Sequence, residues 1–110
     1  MVNTNVDHDC CALGPGLLSP QRANEYAQLF KVLADPIRLQ LLSQIADTGC
    51  DPLTVNELTE RTGLSQSTVS HHLGKLTEAG LLVKQRQGRF VTHAVVSATF
   101  RDLCSVLSLG

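Results

Sequence analysis

The run Gly63-Leu64-Ser65-Gln66-Ser67-Thr68-Val69-Ser70-His71-His72-Leu73-Gly74-Lys75-Leu76-Thr77-Glu78-Ala79-Gly80-Leu81-Leu82 decides how this chain folds. Ser65 is a good helix N-cap and Gly80 a helix terminator, while Val69, Leu73 and Leu76 recur at the spacing of one buried helical stripe. On a wheel of about 100° per residue, Ser67, Ser70, His71, Gly74 and Lys75 fall on the opposite side. That side carries small hydrogen-bonding groups instead of the Glu/Lys lattice of a solvated helix. Short polar side chains let a helix approach base edges in a DNA groove.

Upstream of this run, Thr54 with Glu57 three residues later matches a capping box and predicts a short helix to about Thr62. Gly63 then marks the turn of a helix-turn-helix whose second member is the reader. Downstream, Leu81 to Arg86 and Arg89 to Val96 are β-leaning, with Gln87-Gly88 as the tight turn between them. Arg86 and Arg89 flank the hairpin tip, placed to carry cations to the phosphate backbone or minor groove beside the reader. The expected DNA contacts are therefore Gln66, Ser67, Thr68, Ser70, His71 and Lys75 on the helix, with Arg86 and Arg89 on the hairpin.

Two more helices precede this unit and one follows it. Ser19-Pro20 opens the first, with Tyr26, Leu29, Phe30 and Leu33 as its apolar face, and Asp35-Pro36 repeats the cap-then-proline device. The second runs through Ile37, Leu41, Leu42 and Ile45 and stops near the turn-forming Gly49-Cys50-Asp51-Pro52. Ser97 is positioned to cap a last helix in which Phe100, Leu103 and Leu107 line up, with Cys104 and Val106 one step off the stripe. Residues 1–18, with the breaker Gly14-Pro15-Gly16, read as a flexible N-terminal arm carrying Cys10 and Cys11. Residues 19–110 read as one domain, mainly α with a β-hairpin wing, a winged helix-turn-helix.

Composition is consistent with this reading and narrows the function. A chain of 110 residues with 43% apolar and 4% aromatic residues buries a modest core and gains from a partner subunit. No stretch is long and apolar enough to span a membrane, and Met1 to Asp9 lacks the basic start and apolar run of a signal peptide, so a cytoplasmic protein is expected. The net charge of −1 hides an asymmetry: residues 61–89 hold five Arg/Lys against Glu78 alone, whereas residues 1–51 hold three against six acids. A local basic patch is sufficient to engage phosphates.

The histidines are weak metal candidates. Adjacent helical residues diverge by about 100°, so His71 and His72 do not share one ion. His71 is a candidate donor to phosphate or base, His72 a packed border residue, and His93 structural or exposed. No Gly-rich loop or base placed beside a cysteine supports an enzyme.

Three segments in order, Phe30-Lys31-Val32-Leu33-Ala34-Asp35-Pro36-Ile37-Arg38-Leu39-Gln40-Leu41-Leu42, then Leu64 to Leu73, then Ala79-Gly80-Leu81-Leu82, resemble the ArsR/SmtB family of metal-sensing winged-helix repressors. The resemblance covers roughly residues 20 to 108. It implies a homodimer formed through the first and last helices, binding an imperfect inverted repeat of double-stranded DNA and released when a metal or metalloid binds.

The cysteines bear on which inducer. Many arsenical repressors of the family open the third helix with Cys-x-Cys, where this chain has Thr54 and Asn56; other members use Asp and His on the last helix, where this chain has Asp102 and no histidine. The set Cys10, Cys11 and Cys50 resembles the variant in which a vicinal pair and a loop cysteine form a three-sulfur arsenite site. Soft, three-coordinate arsenic(III), or antimony(III), suits three thiolates, whereas zinc prefers a tetrahedron. Alternatives stay open: zinc or cadmium with His8, Asp7 or Asp9 as a fourth ligand, a thiol-oxidation switch on the same cysteines, or a winged-helix protein-interaction module. Cys104 reads as a small core or dimer residue.

Overall fold

A capping residue followed by proline starts the first two helices of the computed structural model, which describes residues 17–48 and 52–107. In α1 (Pro20–Leu33) the Ser19 hydroxyl accepts from the Arg22 N–H at 3.1 Å. In α2 (Pro36–Asp47) Asp35 Oδ1 accepts from the N–H groups of Ile37 and Arg38 at 2.9 and 3.2 Å. Proline at the first helical position forfeits no helical bond, so the device fixes where each helix begins. The backbone bonds from Arg38 and Ile37 lower the Asp35 pKa, with the positive charge of Arg38 adding to them.

The expected capping box is present at α3 (Val55–Thr62): Thr54 Oγ1 accepts from the Glu57 N–H at 3.1 Å and Glu57 returns the bond to the Thr54 N–H at 3.0 Å. These bonds hold the Glu57 carboxyl below its ordinary range. Gly63 follows with φ 73°, the left-handed conformation that ends a helix and costs other residues more. The expected reader, α4 (Gln66–Glu78), then begins from the Ser65 cap.

The hairpin consists of β2 (Leu82–Gln87) and β3 (Phe90–Val95), paired antiparallel from Leu82↔Val95 to Gln87↔Phe90. Its turn is Gly88-Arg89, one residue later than the expected Gln87-Gly88. Gly88 takes φ 64° at the first turn position, where a two-residue hairpin turn of the II′ kind wants glycine. Arg89 therefore stands in the turn itself. A strand absent from the sequence reading, β1 (Leu53–Thr54), adds to the far edge of β3 through Leu53↔His93 and Thr54↔Thr92, giving the order β1-β3-β2. Two residues are too few for an alternation to register in sequence.

The last helix, α5 (Ser97–Val106), departs from expectation at its start. Val96 is the cap and makes no side-chain bond, so Ser97 is the first helical residue instead of the cap. Cys104 is exposed, not a core residue of this chain. Among the described residues the core is Leu41, Leu42 and Ile45 of α2, Leu58 of α3, Val69, Leu73 and Leu76 of α4, Leu53, Leu81 and Leu82 around the sheet, and Leu103 and Val106 of α5, with Tyr26 from α1. No helix of the described residues is long and apolar enough to cross a membrane.

Candidate nucleic-acid interface

One stripe anchors the reader. Val69 and Leu76 are 0% exposed and Leu73 is 1% exposed. A helix fixed so firmly from below presents the rest of its circumference as a defined surface. Ser67, Ser70, His71 and Lys75 are all exposed on it, and Gly74 adds no side chain.

The helix start is internally braced. The Ser65 hydroxyl accepts from the Thr68 N–H at 3.2 Å and donates to Thr68 Oγ1 at 2.8 Å, with Ser67 Oγ 3.3 Å away. Thr68 is half-buried, so its hydroxyl serves the cap here, while Gln66 and Ser67 extend outward. Lys75 lies near the other end with its ammonium 4.0 Å from Glu78 Oε2, a surface pair of little energetic weight.

Gln66 and Arg89 line one open groove of about 630 Å³. Its other walls are the start of α3, through Thr54 and Asn56, and the hairpin residues Gln87 and Phe90. The wing and the N-terminal end of α4 thus share a concave surface that Arg89 helps to line. Lys75 belongs elsewhere, lining a second groove beside Gln28 and Val32 of α1. Arg86 is exposed on β2, paired with Val91. From sequence, Asn56 and the 64%-exposed Phe90 have no place in the DNA surface and Gln87 falls in the turn; the one-residue shift of the turn moves Gln87 and Phe90 to the tip.

The three histidines among the described residues divide as their positions on the wheel and strand dictate. His71 is exposed, and its ring meets that of His72 edge-on with centroids 5.2 Å apart. His72 is half-buried and accepts from Arg38 Nε at Nδ1, 3.1 Å away. His93 is 3% exposed on β3. Burial, with a smaller contribution from Lys84, lowers its pKa, and among the described residues its Nδ1 has no hydrogen-bond partner.

Cys10, Cys11 and Cys50 lie outside the described residues. Among the described residues no three His, Cys, Asp or Glu side chains converge as a cation site. In sequence, Cys50 stands between the end of α2 and β1, the strand that joins the wing sheet and leads directly into the α3 cap.

Comparison with known proteins agrees with this geometry. Residues 35–84 match the model of the bacterial regulatory protein family arsR. The HTH-type transcriptional regulator NmtR of Mycobacterium tuberculosis is 38% identical over 78 residues, which are 71% of this chain and 62% of that protein. The chain thus spans under two thirds of that relative's length. The biofilm growth-associated repressor of Xylella fastidiosa is 32% identical over 87 residues, 79% of this chain and 74% of that protein. The crystal structure of the AntR antimony-specific transcriptional repressor superposes with a TM-score of 0.67 at 33% identity, covering 79% of this chain and 78% of that one. With its helix-turn-helix braced from below and its wing beside it, this chain belongs to the ArsR family of DNA-binding transcriptional regulators, not to a family of enzymes.

Proposed function

We propose that the chain is a homodimeric repressor of 19–110 domains that reads an imperfect inverted repeat with α4, steadies it with the wing, and leaves DNA when arsenic(III) or antimony(III) is captured by Cys10, Cys11 and Cys50 of the 1–18 arm and the loop after α2. One observation carries the DNA reading: the reader's apolar stripe is wholly buried while its opposite side, with Ser67, Ser70, His71 and Lys75, is left exposed, and Gln66 at its start shares a groove with Arg89. The dimer is supported by apolar surface on the outer helices. Leu29 and Phe30 of α1 and Phe100 of α5 are only partly covered, and Leu17, ahead of α1, and Leu107, just after α5, are exposed at 102% and 52%. A soluble chain of this size gains by burying such residues against a second copy.

The donor set fits the inducer. Three thiolates satisfy a soft, three-coordinate metalloid without a fourth group, and AntR is a repressor named for antimony. Position supports the coupling: a pull at Cys50 acts through Pro52 on Leu53, which is 2% exposed and paired with His93 of the wing sheet, and through Thr54 on the α3 cap. A tenfold loss of DNA affinity requires a coupling of about 1.4 kcal/mol.

The test is a gel shift with the duplex upstream of the coding sequence. Wild-type protein should bind in a salt-dependent way and release as arsenite is titrated in, whereas Cys50→Ser should bind and fail to release. Equal release in both removes the three-thiol site; release by peroxide but not by arsenite replaces it with a disulfide switch.

A further inference from the structure

Arg38 joins three helices. From the first turn of α2 its Nε donates to His72 Nδ1 of α4 at 3.1 Å, and its Nη1 donates to the Val32 carbonyl in the last turn of α1 at 3.1 Å. Both Arg38 and His72 are half-buried, so these bonds compete with less water than a surface pair would. At the other end of the reader, the Thr99 hydroxyl of α5 donates to the Gly80 carbonyl at 2.8 Å.

We propose that Arg38 and His72 are positioning residues for DNA binding: a strut that sets the rotation of the reading helix against the corner of α1 and α2 and fixes the proton of His72 on Nε2. The inference rests on the reading of α4 as the DNA-binding helix and adds to it what orients that helix.

The argument begins with what the apolar stripe does not do. Burial of Val69, Leu73 and Leu76 holds α4 down, but hydrophobic contact is non-directional and resists small rotation weakly. A charge-assisted hydrogen bond is directional and stronger than a neutral one. The planar guanidinium spans two acceptors in a fixed fork, here a ring nitrogen on one helix and a carbonyl on another; a lysine ammonium lacks that fork.

The bond also sets the state of the ring. Nδ1 accepts only with a free lone pair, so the imidazole is neutral and its hydrogen is on Nε2. A ring held this way restricts its neighbour, because His71 packs edge-on against it at 5.2 Å and 72°. Through that contact the strut reaches a side chain on the exposed face. The chain of contacts is continuous: the end of α1, Arg38, His72, His71.

The experiment combines imidazole nitrogen NMR of the free protein with fluorescence anisotropy on a labelled duplex from the region upstream of the coding sequence. In wild-type protein His72 should show an unprotonated Nδ1 and a protonated Nε2, and this single tautomer should be lost in Arg38→Lys. DNA affinity should fall about tenfold or more in Arg38→Lys and in His72→Leu, the size expected for a bond to a charged donor. The double variant should lose no more than either single one, as partners in one interaction do. His72→Asn places an acceptor where Nδ1 was and should restore binding to within about threefold, with His72→Gln failing to do so.

Three results overturn the strut: wild-type affinity in Arg38→Lys, losses that add in the double variant, or rescue by Gln and not Asn, which assigns His72 a direct contact through Nε2. Melting temperatures that fall in step with affinity overturn it as well, since the residues are then merely structural. A wild-type protein that binds no duplex at low salt removes the DNA reading itself, a result distinct from the other four.

Discussion

On the proposed reading, the two sides of α4 answer to different partners. Val69, Leu73 and Leu76 face the protein and are almost wholly removed from water, whereas Ser67, Ser70, His71 and Lys75 face outward and form no part of the core. One side is chosen by volume and hydrophobicity, the other by hydrogen-bonding reach and small size. The lesson is that folding and recognition are separable on this helix, except at His72, which lies on the border and bonds to Arg38.

The largest effect should come from the buried side. Leu76→Ala removes a side chain that is 0% exposed and should cost about 2–5 kcal/mol by cavity formation, a large fraction of the stability of a small domain. Urea or thermal unfolding measures it. DNA binding should be lost only as far as the chain unfolds, and cooling should recover it; a binding defect in fully folded protein would break the separation of the two sides.

The exposed side and the wing should give the reverse pattern. Arg86→Gln and Arg89→Gln touch no core residue, so each should change stability by about 0.5 kcal/mol at most. Each should weaken binding on all sequences alike and reduce the slope of log affinity against log salt by about 1. An unchanged slope would remove the wing from the phosphate backbone. Ser65→Ala stands between the two classes. Its hydroxyl holds both the Thr68 N–H and Thr68 Oγ1, so the loss should be about 1 kcal/mol and should loosen the turn that carries Gln66 and Ser67. Stability and affinity should therefore both fall, modestly; a fall in only one would assign Ser65 wholly to one side.

How far the sequence reveals this depends on the range of each interaction. Caps, the stripe and the capping box are local, and Ser19, Asp35, Thr54 and Ser65 all act as their neighbours imply. The turn shifted by one residue because both Gln87-Gly88 and Gly88-Arg89 offer a glycine, and only the register Gln87↔Phe90 decides between them. Ser97 looked like a cap, yet the chain leaves β3 with Val96 still extended and bonded back to Leu81. The strand Leu53–Thr54 and the Arg38–His72 bond were beyond reach for one reason: each joins residues more than thirty positions apart, and no local pattern reports a partner that distant. Of the expected contacts, Gln66 and Arg89 line one groove while Lys75 lines another, a division that helical periodicity alone does not contain.

The smallest expected effect tests whether a buried side must be indifferent to pH. His93 is 3% exposed between Leu53 and Lys84, and burial, with Lys84 second, pushes its pKa below the ordinary 6.5. The unfolded chain therefore takes up this proton at a higher pH than the folded one. Below about 6.5 the unfolded state binds more protons, so stability falls as the pH drops through that value, and the fall ends below the folded pKa where both states are charged. Above 6.5 the contribution is complete and flat. Urea midpoints measured against pH for wild type and His93→Leu should diverge only on the acid side, with the variant losing less as the pH drops. Operator affinity above 6.5 should be the same in both proteins, because His93 is buried in β3 between Leu53 and Lys84 and offers no side chain at the surface. A difference curve that instead rises toward acid would mean that the ring is held charged in the fold, and the wing sheet would then rest on an ion pair where the structure places Leu53 and a strand.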